Sequence, residues 1–297
     1  MTIEEAFTES LFQVEFLKQK GDSFESFFDK VMGLAHKEDY MGTRPWGRHG
    51  DRKNDGYLKS EKTLFQVYAP NEMNAKKAEA KIREDFAGAK LHWEEHVDKW
   101  TFVHNTQGEL PPHVIKLILE LDKKNPEIEV SQWGYHELLE RFRSVSITDR
   151  ESWLGAVPNE QTKADLDFKE LRIVLESIAG KPAKVGAEVI DVPPGKIEAN
   201  ALSSSIEDLI RNCISKTPLV EEFFRSWHDE SLGEKTASAF NEKYKELKLN
   251  KTPNETFYEL QKWAGGTTRG KPEHELAVLT VLAYYFERCD IFEAPRI

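Results

Sequence analysis

Short apolar runs of strand length alternate with amphipathic stretches of helical period along the first half of this chain. Three runs are typical of strands, namely residues 63–69, 99–105 and 127–133. Apolar residues at the spacing of one helix face form two sets, Phe24, Phe27, Phe28 and Val31, and Val114, Leu117, Ile118 and Leu121. Strands that alternate with helices favour a partly parallel sheet covered by helices on both faces. We therefore predict an α/β fold for this half.

The second half of the chain is predicted to be mainly helical. Thr252, Pro253 and Glu255 form the pattern of a helix start, with a capping threonine, a proline in the first turn and a glutamate that completes a capping box. Residues 273–289 are apolar almost all round, which is typical of a helix inside a core or an obligate interface. Because 297 residues is long for one core, we predict an α/β domain over residues 1–150 and a mainly helical partner or regulatory domain over residues 166–297.

The charge balance limits which partners are expected. The net charge is −11, and neither half is basic, which argues against a global nucleic-acid binder. A local basic cluster lies in the turn-rich residues 41–56 and consists of Arg44, Arg48, Arg52 and Lys53. Such a cluster is suited to binding phosphates, and its alternative is a solvated loop. With no membrane-spanning run, no signal peptide and only two cysteines, we expect a cytoplasmic protein without membrane contact.

The residues around this turn carry the candidate chemistry. Asp51 and Asp55 each adjoin a glycine in Gly-Asp-x-x-x-Asp-Gly, and Gln66 lies on the strand that follows. A carboxylate at a turn and a polar residue on the next strand converge on one edge of a sheet, and Mg²⁺ prefers such hard oxygen ligands. Over about residues 20–143 this pattern resembles the Mrr-like enzymes of the PD-(D/E)xK restriction-endonuclease-like nuclease family.

The resemblance implies a mixed sheet flanked by helices and a DNA endonuclease that depends on Mg²⁺ or Mn²⁺. By position, Glu25 corresponds to the acid of the family's first core helix, Asp55 to the main metal ligand and Gln66 to the ligand on the strand. Asp51 is an alternative ligand. Glu25 also has a purely structural alternative, because it lies three residues after Asp22 and can complete a capping box at a helix start.

One residue departs from the family pattern. Tyr68 stands where the family has its lysine, and a tyrosine does not replace an ammonium ion electrostatically. Either a lysine on the following helix takes this role, for which Lys76, Lys77 and Lys81 are the candidates, or the domain is a catalytically inactive adaptor. Tyr68 is then counted among the site residues as a group that hydrogen-bonds a phosphate.

A second motif in the first half competes with this assignment. His92-Trp93-Glu94-Glu95-His96 matches the inverted zincin pattern, in which two histidines one helical turn apart share Zn²⁺.

Nucleases that resemble this chain and carry helical domains often belong to bacterial anti-phage defence modules, which implies a second protein. An ATPase is one candidate, because the chain lacks a P-loop of its own. Cutting two strands needs two sites, so a homodimer is also compatible with this function.

Overall fold

The computed structural model divides the chain into two compact units. One consists of residues Phe12–Asp149, and the other combines Met1–Leu11 with Arg150–Ile297. The residues described are 1–43, 54–106, 108–179, 181, 196–229, 231–267, 271–288 and 291–293. The division falls within the first helix, so the first eleven residues group with the helical unit, whereas the sequence analysis assigned residues 1–150 to the α/β domain.

The first unit is built on a five-stranded mixed sheet. Its elements are α1 (Ile3–Lys18, shared with the other unit), α2 (Asp22–His36), β1 (Tyr40–Gly42), β2 (Gly56–Leu58), β3 (Thr63–Tyr68), α3 (Ala75–Trp93), β4 (Lys99–His104), α4 (Pro112–Lys124), β5 (Glu129–Trp133) and α5 (Tyr135–Ser144). The strands lie in sequence order. β2 runs antiparallel to both β1 and β3, whereas β4 runs parallel to both β3 and β5. The α/β class and the partly parallel sheet predicted from the alternation are confirmed.

Helices pack against both faces of this sheet because both faces of its central strands are apolar. On one face, Leu64 and Trp100 belong to a buried cluster with Ile82 of α3 and Val114 of α4. On the other face, the ring of Phe65 lies 5.3 Å from that of Phe28 on α2. Alternating β3 residues therefore contact different layers, as the two-residue period of a strand requires. This places Gln66 on the face that carries Leu64.

The start of α2 differs from the prediction. The helix begins at Asp22, and the residue that precedes it, Gly21, has a φ of 50° and supplies no side-chain cap. The backbone N–H of Gly21 donates to the carbonyl of Ala69 at 2.6 Å, which fixes the turn between α1 and α2 to the end of β3. The predicted capping box from Asp22 to Glu25 is therefore wrong, because a backbone contact with a distant strand, invisible in the local sequence, sets this helix end.

The second unit is helical throughout its described part. Its helices are α6 (Ile147–Leu154, shared with the first unit), α7 (Glu160–Asp165), α8 (Phe168–Ala179), α9 (Lys196–Ala199), α10 (Ser204–Ile214), α11 (Thr217–Ser226), α12 (Leu232–Leu247), α13 (Pro253–Trp263) and α14 (Pro272–Glu287). The predicted capping box at α13 is confirmed: Thr252 accepts from the backbone of Glu255, whose carboxylate accepts from the backbone of Thr252. Helix α14 is buried from Glu275 to Phe286 and forms the centre of this core, as its apolar surface predicted.

Candidate functional site at the β2–β3 hairpin

The carboxylate of Asp55 is held by two donors from the neighbouring strand. Its Oδ2 atom accepts from the side-chain amide of Gln66 at 2.6 Å and from the backbone N–H of Val67 at 2.7 Å. The hairpin explains the pairing: Gly56 opposes Phe65, and the N–H of Asp55 donates to the carbonyl of Phe65, so that Asp55 comes opposite Gln66. The two residues that the sequence singled out across this turn are therefore in direct contact.

The amide of Gln66 leaves one buried oxygen without a partner. Gln66 is only 3% exposed, and its Nε2 is directed at Asp55, which leaves Oε1 without a hydrogen bond among the described residues. Buried amides almost always satisfy both ends, because an unpaired polar atom costs free energy. An orphaned acceptor beside a carboxylate is a pair of oxygen ligands suited to a hard cation.

Asn54 forms the turn that leads into Asp55. It is fully buried, and its side-chain oxygen accepts from the backbone N–H of Gly56 at 2.8 Å, which is the side-chain-to-backbone bond of an Asx turn. Within the described part of the chain, its Nδ2 has no acceptor. The polar groups around Asp55 thus include one unpaired donor and one unpaired acceptor.

Tyr40 and Asp29 approach the same hairpin. The Tyr40 hydroxyl lies 3.5 Å from the backbone oxygen of Asp55. Burial, then the charge of Asp29 and a hydrogen bond with it, and then the charge of Asp55 raise the pKa of Tyr40 well above its usual value, so the phenol stays protonated. The Asp29 carboxylate lies over β1 at Gly42, where a Cβ atom would overlap its Oδ1. Glycine at this position is what admits the carboxylate.

Asp29 is a carboxylate of α2 that contacts this cluster, and the sequence analysis did not consider it. Glu25, the predicted helix acid, is exposed one turn earlier on the same side of α2. The signal for Asp29 was available in the sequence, because residues four apart share one helix face. Choosing between the two positions requires knowing how α2 lies over β1, and this is set by the packing of Phe28 against Phe65 and Tyr40.

In the part of the chain that the structure describes, the candidate lysines of α3 form no ion pair with Asp55. Tyr68 is half-buried, with its ring 5.8 Å from that of Phe102. Lys76 and Lys77 are exposed in the first turn of α3, and no hydrogen bond or ion pair of the described residues joins their ammonium groups to Asp55 or Gln66. Lys81 pairs instead with the fully buried Asp85 at 3.0 Å.

A second polar cluster lies where the parallel strands β4 and β5 end. His104 is buried, with its Nε2 2.7 Å from the side-chain oxygen of Gln132 and its Nδ1 in contact with the Thr106 hydroxyl. Burial lowers the pKa of His104, so its imidazole is neutral near pH 7. Gly134 makes room for the ring, because a Cβ there would lie 2.8 Å from Cε1 of His104. Both ring nitrogens are satisfied, so His104 serves here as a structural group.

The predicted zinc arrangement is not formed. Helix α3 ends at Trp93, and Glu94–His96 continue as a short 3₁₀ turn, so His92 and His96 do not lie one α-helical turn apart. Among the described residues, no group of three or more histidine, cysteine, aspartate or glutamate side chains is arranged to hold a metal ion. The oxygen-bearing side chains described at the hairpin, those of Asp55, Asp29 and Gln66, comprise two carboxylates and one amide.

The predicted nucleic-acid contacts fall on Arg44, Arg48, Arg52 and Lys53, which lie outside the described residues. The alternative ligand Asp51 does as well. None of the described helices has the length and the apolar surface that crossing a membrane requires.

Comparison with known proteins identifies part of the second unit. Residues 169–293 match the family model of C-terminal domain 10 of the ABC-three component (ABC-3C) systems. The match covers less than half of the chain. ABC-3C systems are multi-component anti-phage defence systems, so the match supports a defence-system component. No curated protein and no solved structure matches the chain.

The ABC-3C-matching region joins two segments that are distant in sequence. Lys196 and Asn200, in and just after α9, both hydrogen-bond to residues 291–293, which follow α14. The sequences of the two segments, residues 196–200 and 291–293, match no catalytic motif. Their meeting is a feature that tertiary structure alone reveals.

Proposed function

We propose that this chain is a component of an ABC-3C anti-phage defence system and that its α/β unit is a divalent-metal-dependent DNA endonuclease. The observation that carries the proposal is the Asp55–Gln66 pair, in which a fixed carboxylate adjoins a buried amide oxygen that lacks a partner. Catalytic and binding sites are where natural proteins tolerate such unpaired groups.

The order of elements supports the same reading. A helix that carries acidic residues comes first, then an aspartate at a glycine turn, then a strand with a glutamine, a helix and a parallel strand. This is the order expected from the resemblance to PD-(D/E)xK nucleases. The match to ABC-3C systems adds a setting in which a multi-component complex acts against phage.

The residues present fit a hard divalent cation. Mg²⁺ is commonly held by one or two carboxylates with waters and substrate oxygens. Asp55 and the Oε1 atom of Gln66 are the groups that would hold it. Asp29 replaces Glu25 as the acid from α2, and because α2 covers the face of the sheet opposite to Gln66, it would act through a water of the ion. When bound, such an ion polarises a phosphodiester and activates a water. Hydrogen bonds from Gln66 and Val67 orient the Asp55 carboxylate in advance.

Two measurements on the full-length protein test the proposal. Supercoiled plasmid is incubated with Mg²⁺ or Mn²⁺, and Mn²⁺ binding is titrated by electron paramagnetic resonance. We expect metal-dependent cleavage in the wild type and loss of both signals in Asp55→Asn and Asp29→Asn. Glu25→Gln is the matched control, because it removes an exposed carboxylate one turn away on the same helix.

A second candidate function is a catalytically inactive binding module of the same complex. It is favoured by the packing of Tyr68 against Phe102 at the position where the family has its lysine, and by the pairing of Lys81 with Asp85. Metal binding without cleavage, also after the partner protein is added, would assign the unit to this second function. Absence of both metal binding and cleavage would refute the nuclease proposal.

The partner is proposed to be a second protein of the same system, with an ATPase as the first candidate. A homodimer would supply two sites for two strands. Sedimentation of the active sample at several concentrations distinguishes a single copy from a dimer.

A further inference from the structure

The tail of the second unit lies in a groove that contacts both its backbone and its side chains. This tail groove is defined by Lys196, Asn200, Tyr244, Lys248 and Phe257, and residues 291–293 occupy it. Ile291 and Phe292 are buried, whereas the carboxylate of Glu293 reaches the surface. A bent stretch of three residues thus receives polar contacts at its backbone and apolar contacts at its side chains.

Asn200 and Lys196 contact the backbone of the tail. The side-chain amide of Asn200 donates to the carbonyl of Glu293 at 2.8 Å and accepts from the N–H of the same residue at 2.9 Å. The ammonium group of Lys196, which is 2% exposed, donates to the carbonyl of Ile291 at 2.7 Å and to that of Phe286 at 2.6 Å. Bonds to main-chain groups, such as these, do not depend on the side chains of the bound segment.

The side-chain contacts of the tail give selectivity. The ring of Phe292 packs against those of Tyr244 at 5.1 Å, Phe286 at 5.5 Å and Phe257 at 6.4 Å. Glu293 accepts from the ammonium group of Lys248 at 2.7 Å and from the hydroxyl of Tyr244 at 3.0 Å. These bonds, led by that of Lys248, lower the pKa of Glu293. The groove therefore suits an aromatic residue followed by an acidic one.

The tail occupies the groove in a strained conformation. Phe292 has a φ of 65°, in the left-handed region that bulky residues rarely adopt. The N–H of Ile291 donates to the carbonyl of Tyr285 at 3.4 Å, so the tail lies back against the end of α14. Residues held in such conformations cluster at ligand clamps and switch regions.

We propose that the tail groove is a peptide-recognition site for a segment of a partner protein that carries an aromatic residue followed by an acidic one. The chain's own Ile291-Phe292-Glu293 occupies the site until the partner segment displaces it. The region that matches the ABC-3C systems contains every residue of the groove, and those systems act as assemblies of several proteins. The positive charge of Lys248 complements an acidic segment.

The test uses the full-length protein and a fluorescein-labelled peptide with the sequence of residues 288–297, with serine in place of the cysteine. Fluorescence anisotropy reports binding. The tethered tail competes at an effective concentration on the order of millimolar, so the wild type binds the peptide weakly. In Phe292→Ala the tail holds the groove less firmly, and we expect the peptide affinity to rise at least about tenfold. Adding Asn200→Ala should abolish this gain.

A charge reversal keeps the test decisive if Phe292→Ala fails to fold. Glu293→Lys changes a side chain that is 63% exposed, so the core is left intact while the tail loses its contact with Lys248. This variant is expected to bind the wild-type peptide. Lys248→Glu alone, which removes the same contact from the other side, should instead prefer a peptide with lysine at the Glu293 position. Circular dichroism confirms that each variant is folded.

Two outcomes would overturn the proposal. If neither folded tail variant binds the peptide at millimolar concentration, or if binding is indifferent to Asn200→Ala and Lys248→Glu, then the tail is a fixed part of the core. If the wild type forms concentration-dependent dimers that Asn200→Ala removes, then the occupant of the groove is the tail of a second copy of this chain and no partner segment is involved.

Discussion

Replacing Asp55 separates its structural role from its proposed metal-binding role. In Asp55→Ala, the Gln66 amide and the Val67 N–H both lose their acceptor. A buried donor left unpaired costs about 1–3 kcal/mol, so two such donors predict a loss of about 2–6 kcal/mol in the free energy of unfolding. In Asp55→Asn, the side-chain oxygen still accepts both bonds without the charge, and we expect a loss of about 1–2 kcal/mol.

Urea unfolding of both variants measures these losses, and hydrogen exchange at the Val67 amide gives a local readout. We expect exchange at Val67 to accelerate strongly in Asp55→Ala and only slightly in Asp55→Asn, while Mn²⁺ binding is lost in both. Surface substitutions typically change stability by no more than about 0.5 kcal/mol. A change of that size in Asp55→Ala, together with slow exchange at Val67, would contradict the expected loss. It would mean that the Asp55 carboxylate does not hold the hairpin.

Three further predictions follow from glycine contacts, burial and capping. Gly134→Ala places a Cβ 2.8 Å from the His104 ring and should lower the free energy of unfolding by about 1–3 kcal/mol. Gly33→Ala, with open space around it in α2, should raise it by about 0.5–1 kcal/mol. Shifts of the urea midpoint in the same direction for both variants would contradict this. Burial lowers the pKa of His104, so its contribution to stability is present above the unfolded pKa of about 6.5 and is lost as the pH falls below it. The melting temperatures at pH 7.5 and 5.5 should therefore differ less in His104→Gln than in the wild type. An equal difference in the two proteins would exclude His104 as the cause. Thr252→Ala removes the capping box of α13 and should cost about 1 kcal/mol by urea unfolding, against no measurable loss if the cap is solvated.

The local signals in the sequence determined the elements of the fold. Strand-length apolar runs predicted β3, β4 and β5 within two residues of their observed starts, because the burial of a strand is recorded in its own side chains. The capping box at Thr252 and the uniformly apolar α14 were equally local signals, and both were confirmed. The sequence also singled out Asp55 and Gln66, since a turn and the strand that follows it are joined by a short hairpin.

Tertiary structure decided which side chains meet across elements. Asp29 reaches Tyr40 because aromatic packing of α2 against β3, which no local pattern encodes, sets the orientation of that helix. The helix start at Asp22 is set by a hydrogen bond between Gly21 and Ala69, which lie far apart in sequence. Lys196 and residues 291–293 come together because the ammonium group of Lys196 bonds to carbonyls at the end of α14 and in the tail. Such contacts depend on the sum of many weak packing energies over the whole unit, so the sequence of either segment alone does not determine them.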